Sequence, residues 1–103
     1  QNHVTHACEL ETSIILRLHP ELARMAAARG AIIPFDSAFY TPDSRAASRV
    51  EVLRAFEQVT VTGALGHPEL ATPEKGEQLL AVATREVVAF VREFAAWPMI
   101  QPG

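Results

Sequence analysis

Apolar residues recur at helical spacing in two stretches of the chain and lose that regularity between them. From about Ala7, the residues Leu10, Ile14 and Leu18, joined by Ile15, fall three or four apart, which predicts a helix with one stripe facing a core. Pro20 interrupts that pattern. Proline suits the first position of a helix, so a second short helix is expected from Pro20 through Ala28, with Leu22, Met25 and Ala26 on its apolar side and Gly30 at its C-terminal cap. The other regular stretch is nearer the C-terminus, where Leu80, Ala83, Val87, Phe90, Val91 and Phe94 trace one face of a helix to about Ala96. Thr72 offers a capping oxygen at its start and Pro73 fits the first turn.

Between these stretches the signals are shorter. Val4 among polar neighbours reads as the tail of a strand delivering His6 to an edge, and Ala31-Ile32-Ile33 as a strand confined to an edge or terminus by Pro34. Residues 35–48 carry Asp36, Ser37, Pro42, Asp43 and Ser44 around Phe39 and Tyr40, a loop of a length that usually has a function. Val50, Val52 and Leu53 with Phe56, then Val59 and Val61, predict two short extended pieces, and Gly63, Gly66 and Pro68 mark tight turns. Pro98 and Pro102 should end order soon after Trp97. No internal repeat and no low-complexity segment is read along the chain.

Charge narrows the possible partners. A net charge of −3 with nine scattered Lys and Arg residues leaves no basic stripe for phosphates, so nucleic acid is not an expected partner. No apolar run approaches the roughly 20 residues that span a bilayer, so no membrane is expected either. The single cysteine, Cys8, has no partner for an internal disulfide, which points to a reducing, cytoplasmic setting.

Chemistry concentrates in His6-Ala7-Cys8-Glu9-Leu10-Glu11-Thr12-Ser13, at the mouth of the first helix. Carboxylates are favoured there by unpaired backbone N–H groups and the helix dipole, and Glu9 reads as such a dipole partner. Thr12 and Ser13 can hydrogen-bond back to the preceding turn. His6 and Glu11 are about one and a half helical turns apart, so they share a site only if His6 lies in the loop before the helix. Two other arrangements are open: a metal site from His3, His6 and Glu9, which needs a helix that nothing before His3 supports, and a Cys8 nucleophile with His6 as base, for which no orienting acid is evident. His19 bridges the helices on either side of Pro20, and His67 reads as a turn residue.

The same stretch resembles the HAxExETS segment of the creatininase family, the creatinine amidohydrolases. Leu16-Arg17-Leu18-His19-Pro20-Glu21-Leu22-Ala23-Arg24 stands where the family has a phrase like RPELVR. The stretch from Thr62 to Gly76 is similar to its closing TGxxGDPxxATxEKG. Cys8 replaces a common Gly, and His67 replaces the usual Asp.

The resemblance implies a metal-dependent hydrolase of non-peptide C–N bonds, cyclic amide or formamide-like, acting on a small-molecule amide as a homo-oligomer. It implies that His6 moves a proton to the leaving nitrogen, a task an imidazole suits near neutral pH. Glu11 is then the carboxylate nearest the divalent metals (Zn, Mn or Fe), as a ligand or as the holder of one. Family members bind their metals mainly through GSxEQHG-like and NGHGGN-like stretches and an intervening Asp, and those strings do not occur in this sequence. Residues 1–103 are therefore expected to form the C-terminal part of one α/β domain, a three-layer α/β/α arrangement whose first-half strands are absent. The alternative is a non-catalytic binding or assembly module on the same scaffold.

Overall fold

A computed structural model describes residues 4–43 and 47–103. Three α-helices, α1 (Glu9–Leu18), α2 (Phe56–Val59) and α3 (Pro73–Ala95), alternate with 3₁₀ turns at Pro20–Leu22, Met25–Ala27 and Pro68–Leu70. Among the described residues no helix is long and apolar enough to cross a membrane.

The fold is organised by the crossing of α1 and α3. Thr72 caps α3 by accepting a hydrogen bond from the Lys75 N–H at 3.1 Å, and Pro73 occupies the first turn, as the sequence predicts. Gly76 follows, where α3 meets α1. An added Cβ there would collide with the Ser13 carbonyl oxygen and stand 2.7 Å from its carbon, so glycine permits the close approach of the two backbones. Ser13 is fully buried, and its Oγ accepts the Thr72 N–H at 3.2 Å. It bonds across to α3 rather than back along its own helix. Arg17 pairs with Glu77 one turn further along.

Beyond these first turns α3 projects from the rest. The face expected to meet a core is open to solvent, with Phe90, Val91 and Phe94 each more than half exposed. The radius of gyration is 18.0 Å, against about 13 Å for a compact domain of this length. The aromatic residues contact one another instead, Phe94 lying 5.2 Å from Trp97 and 5.9 Å from Phe90.

The strands fare differently. Among the described residues pairing is limited to isolated antiparallel bridges, His6 with Leu65 and Ile32 with Thr60. The α/β expectation holds only in part: the described residues are mostly helical, and the bridges at His6 and Ile32 have no neighbouring strand to extend a ladder. The extended piece expected at Val59 is the end of α2. The helix expected from Pro20 through Ala28 is two separate 3₁₀ turns, broken by extended backbone at Ala23 and a non-helical Arg24. At the start of the loop after Pro34, the Arg54 guanidinium lies 4.4 Å from the Phe35 ring centroid and 5.7 Å from that of Tyr40.

A short repeat also corrects the reading of the sequence. His-Pro-Glu-Leu-Ala occurs at residues 19–23 and again at 67–71. Both copies form a 3₁₀ turn over Pro-Glu-Leu, with the histidine in nearly the same conformation (φ −146°, ψ 70° and φ −127°, ψ 68°).

Candidate functional site

The two stretches singled out in the sequence lie against each other. His6 and Leu65 exchange backbone hydrogen bonds of 3.3 and 2.8 Å, Ser13 holds Thr72, and Lys75 Nζ donates to Glu9 Oε1 at 2.8 Å and to the Leu70 carbonyl at 2.7 Å. The entrance to α1 is thereby fixed from the side by the entrance to α3.

His6 lies outside the helix, as its spacing from Glu11 requires for a shared site. The chain then turns sharply through Ala7, whose φ of 47° is left-handed, a conformation that strains a residue with a Cβ. Cys8 is extended at φ −90° and completely buried. The glycine-like backbone demand in this motif thus falls on Ala7, and a thiol fits where glycine is usual.

Glu9 and Glu11 occupy the first turn of α1 but face different surroundings. The hydrogen bond and charge of Lys75 hold the Glu9 carboxyl below the usual glutamate range, against the opposing effect of burial. The pair sits on an apolar cleft of about 680 Å³ between α1 and α3, lined by Leu10, Ile14, Leu79 and Val82. With ammonium and carboxylate engaged with each other, that cleft offers little to a reacting group. Glu11 lines a second cleft of about 410 Å³, whose walls include Ala7, Thr12, Arg24, Arg29, Thr62 and Pro68. Among the described residues Glu11, Arg24 and Arg29 form no ion pair with one another.

His6 does not line that cleft. Its ring lies against Phe56, centroids 4.8 Å apart. No group of three or more His, Cys, Asp or Glu that could hold a metal ion is found among the described residues, and His3 lies outside them. The described side chains do not by themselves fit a metal centre; Glu11 supplies a single carboxylate.

The remaining histidines sit in the repeated turns. His19 is exposed, 3.0 Å from the Glu21 carboxylate, and links the end of α1 to the 3₁₀ turn at Pro20–Leu22. His67 Nδ1 lies 3.2 Å from Glu69 Oε1. Glu69 Oε2 also accepts the Gly30 N–H at 2.8 Å, so this turn ties the Gly30 segment to the base of α3. Arg24, Thr62 and Lys75 entered the sequence reading only as members of the two later motifs, without a chemical role, and Arg29 did not enter it. Only the HPELA repeat signalled that the chain segments bearing Arg24 and Thr72 are comparable.

The two motifs thus form one folded unit, and comparison with known proteins gives its family. The model of the creatininase family, described as creatinine amidohydrolase, matches residues 1–91. The chain belongs to the creatininase family. It is also similar to the crystal structure of a protein from Bacteroides fragilis NCTC 9343 provisionally named a creatinine amidohydrolase, with a TM-score of 0.74 and 32% identity over 94% of this chain. The match spans 37% of that protein's chain. No curated protein matches the chain.

Proposed function

We propose that this chain carries part of the active site of an amidohydrolase that opens a cyclic amide or cleaves a formamide-like C–N bond in a small molecule. The observation that supports it is the HAxExETS segment, intact within the matched region and folded so that Glu11 faces a cleft beside the closing motif. The family chemistry calls for a divalent metal, Zn, Mn or Fe, which would be held mostly by residues outside this chain and would supply Lewis-acid activation of a carbonyl and a water. In this reading Glu11 contributes one carboxylate toward that ion, and His6 donates a proton to the departing nitrogen. The further expectations of a homo-oligomer and a cytoplasmic setting belong to the same proposal.

The placement of His6 against Phe56, rather than in the Glu11 cleft, favours a second reading, a non-catalytic binding module on this scaffold. Kinetics and metal analysis on the native protein that contains this chain separate the two. In the first reading His6→Ala lowers turnover by about 10²- to 10⁴-fold with metal content nearly unchanged. Glu11→Gln instead lowers metal affinity by about 10- to 100-fold, and Glu9→Gln leaves activity intact. Activity that survives both His6→Ala and Glu11→Gln would sink the assignment of these residues. A native protein that neither holds metal nor hydrolyses amides leaves the binding module.

A further inference from the structure

The Glu11 cleft carries more positive than negative charge. Arg24 directly follows the first HPELA turn and Arg29 closes the same segment; both line the cleft with Glu11, and neither is ion-paired among the described residues. The backbone holding them is fixed. The Arg24 carbonyl accepts the Ala27 N–H at 2.9 Å, and the Arg29 carbonyl accepts the Thr62 hydroxyl at 3.2 Å, so the segment is tied both to its own turn and to the opposite wall. Elsewhere Arg17 pairs with Glu77 and Lys75 with Glu9, whereas the exposed Arg24 and Arg29 share the lining of this cleft with a single carboxylate, Glu11.

We infer that Arg24 and Arg29 form an anion-binding subsite, and that the ligand of the cleft is a small amide bearing a carboxylate. A guanidinium matches a carboxylate through two parallel N–H bonds, giving orientation as well as attraction. The rest of the lining near these arginines, Leu22, Met25 and Ile15, is apolar and accommodates a short aliphatic or ring portion. Glu11 stands on the same cleft wall as the reacting end in the amidohydrolase reading, and its negative charge disfavours a carboxylate there. The two charges thus orient a ligand with its anionic end at the arginines and its amide toward α1. This inference deepens the proposed function and rests on it for the amide, though not for the anion.

N-acetylglycine and its neutral analogue N-acetylglycinamide are suitable probes, titrated into the 103-residue chain while backbone and arginine side-chain NMR signals are followed. N-acetylglycine is expected to shift the signals of Glu11, Thr62 and both arginines saturably, and to bind about 10-fold or more tightly than the amide. Arg24→Gln and Arg29→Gln should each remove most of that preference, and Arg24→Lys should restore part of it. Equal binding of the two probes, no saturable shift, or a preference that survives both Gln variants overturns the subsite. Hydrolysis by the native protein is scored separately. Anion binding without turnover of any amide keeps the subsite and removes the hydrolase reading. Turnover of neutral amides that ignores both arginines keeps the hydrolase and removes the subsite.

Discussion

The two HPELA turns are one sequence in two settings. In the first, His19 and Glu21 are about two-thirds exposed and contact chiefly each other. In the second, only 16% of the His67 side chain is exposed, Pro68 and Ala71 are buried, and Glu69 holds the Gly30 backbone. The local conformation is nearly the same, so five residues suffice to set a 3₁₀ turn: the proline fixes φ at its start, and the histidine before it is kept out of the helical region. What the turn then accomplishes is decided by the neighbours. The copy preceded by Gly66, at φ 148°, is wedged between the Gly30 segment and α3, whereas the copy preceded by Leu18 trails from the end of α1. The residues that follow diverge in the same sense, Arg24 reaching a cleft and Thr72 capping a helix.

The strongest way to break this contrast is to remove the space that admits the second copy. A Cβ at Gly30 would collide with the Gly66 carbonyl oxygen and lie 3.3 Å from its carbon and 3.4 Å from His67 Nδ1. The first atoms met are backbone and cannot swing aside. Gly30→Ala should therefore destabilise the chain by about 3 kcal/mol, the upper end for overpacking, although glycine to alanine outside such a contact commonly stabilises. Urea unfolding at neutral pH measures it; a loss under about 0.5 kcal/mol would mean that the second turn is no more embedded than the first.

A smaller test uses the last residue of each copy. Ala71 is 7% exposed whereas Ala23 is only partly buried along the Glu11 cleft. Ala71→Leu should cost about 2 kcal/mol through overpacking. Ala23→Leu, which projects into open cleft space, should stay within about 0.5 kcal/mol. Equal effects would show that the environments differ less than the burial indicates.

These contrasts also mark what the sequence could and could not reveal. The existence of α1 and the Thr72-Pro73 start of α3 were legible because caps and helical periodicity are local properties, whereas the stripe expected to face a core leaves Ile15 and Leu18 exposed. The extended pieces around Val50 and Val59 were not legible, because a strand exists only with a partner, and here each bridge has a single paired residue. In the site, the spacing to Glu11 set only a condition, that a shared site needs His6 outside the helix, and the family resemblance implied the position it has. Its contact with Phe56, fifty residues away, left no trace in that spacing. The left-handed turn at Ala7 had no local signal, since alanine is not a residue that favours positive φ. Arg24 and Arg29 were missed because scattered arginines read as solvated charge until the fold places both on one cleft.

The smallest expected effect concerns the glutamates of the two turns. Burial works to raise the pKa of Glu69, but hydrogen bonds from its own backbone and the Gly30 N–H, with the nearby His67 ring, outweigh it and leave the carboxyl below the ordinary value of 4.5. A depressed folded-state pKa means that the unfolded chain binds the proton more readily, so stability rises with pH across that interval. The contribution is complete above about pH 4.5 and is lost as pH falls through the lower folded value. Because the Glu69 side chain is 39% exposed, solvent discounts the interaction, and Glu69→Gln, which keeps an acceptor for Gly30 but not the charge, should cost only about 0.5 to 1 kcal/mol near neutral pH. That cost should shrink toward zero near about pH 3, where the wild-type carboxyl is itself becoming neutral. Glu21→Gln in the exposed copy should stay within about 0.5 kcal/mol at neutral pH, since Glu21 holds no backbone N–H of another segment. Unfolding midpoints of both variants and the wild type at the two pH values decide the matter. A Glu69→Gln deficit that persists undiminished in acid would place its origin in packing rather than in the charge that sets the two turns apart.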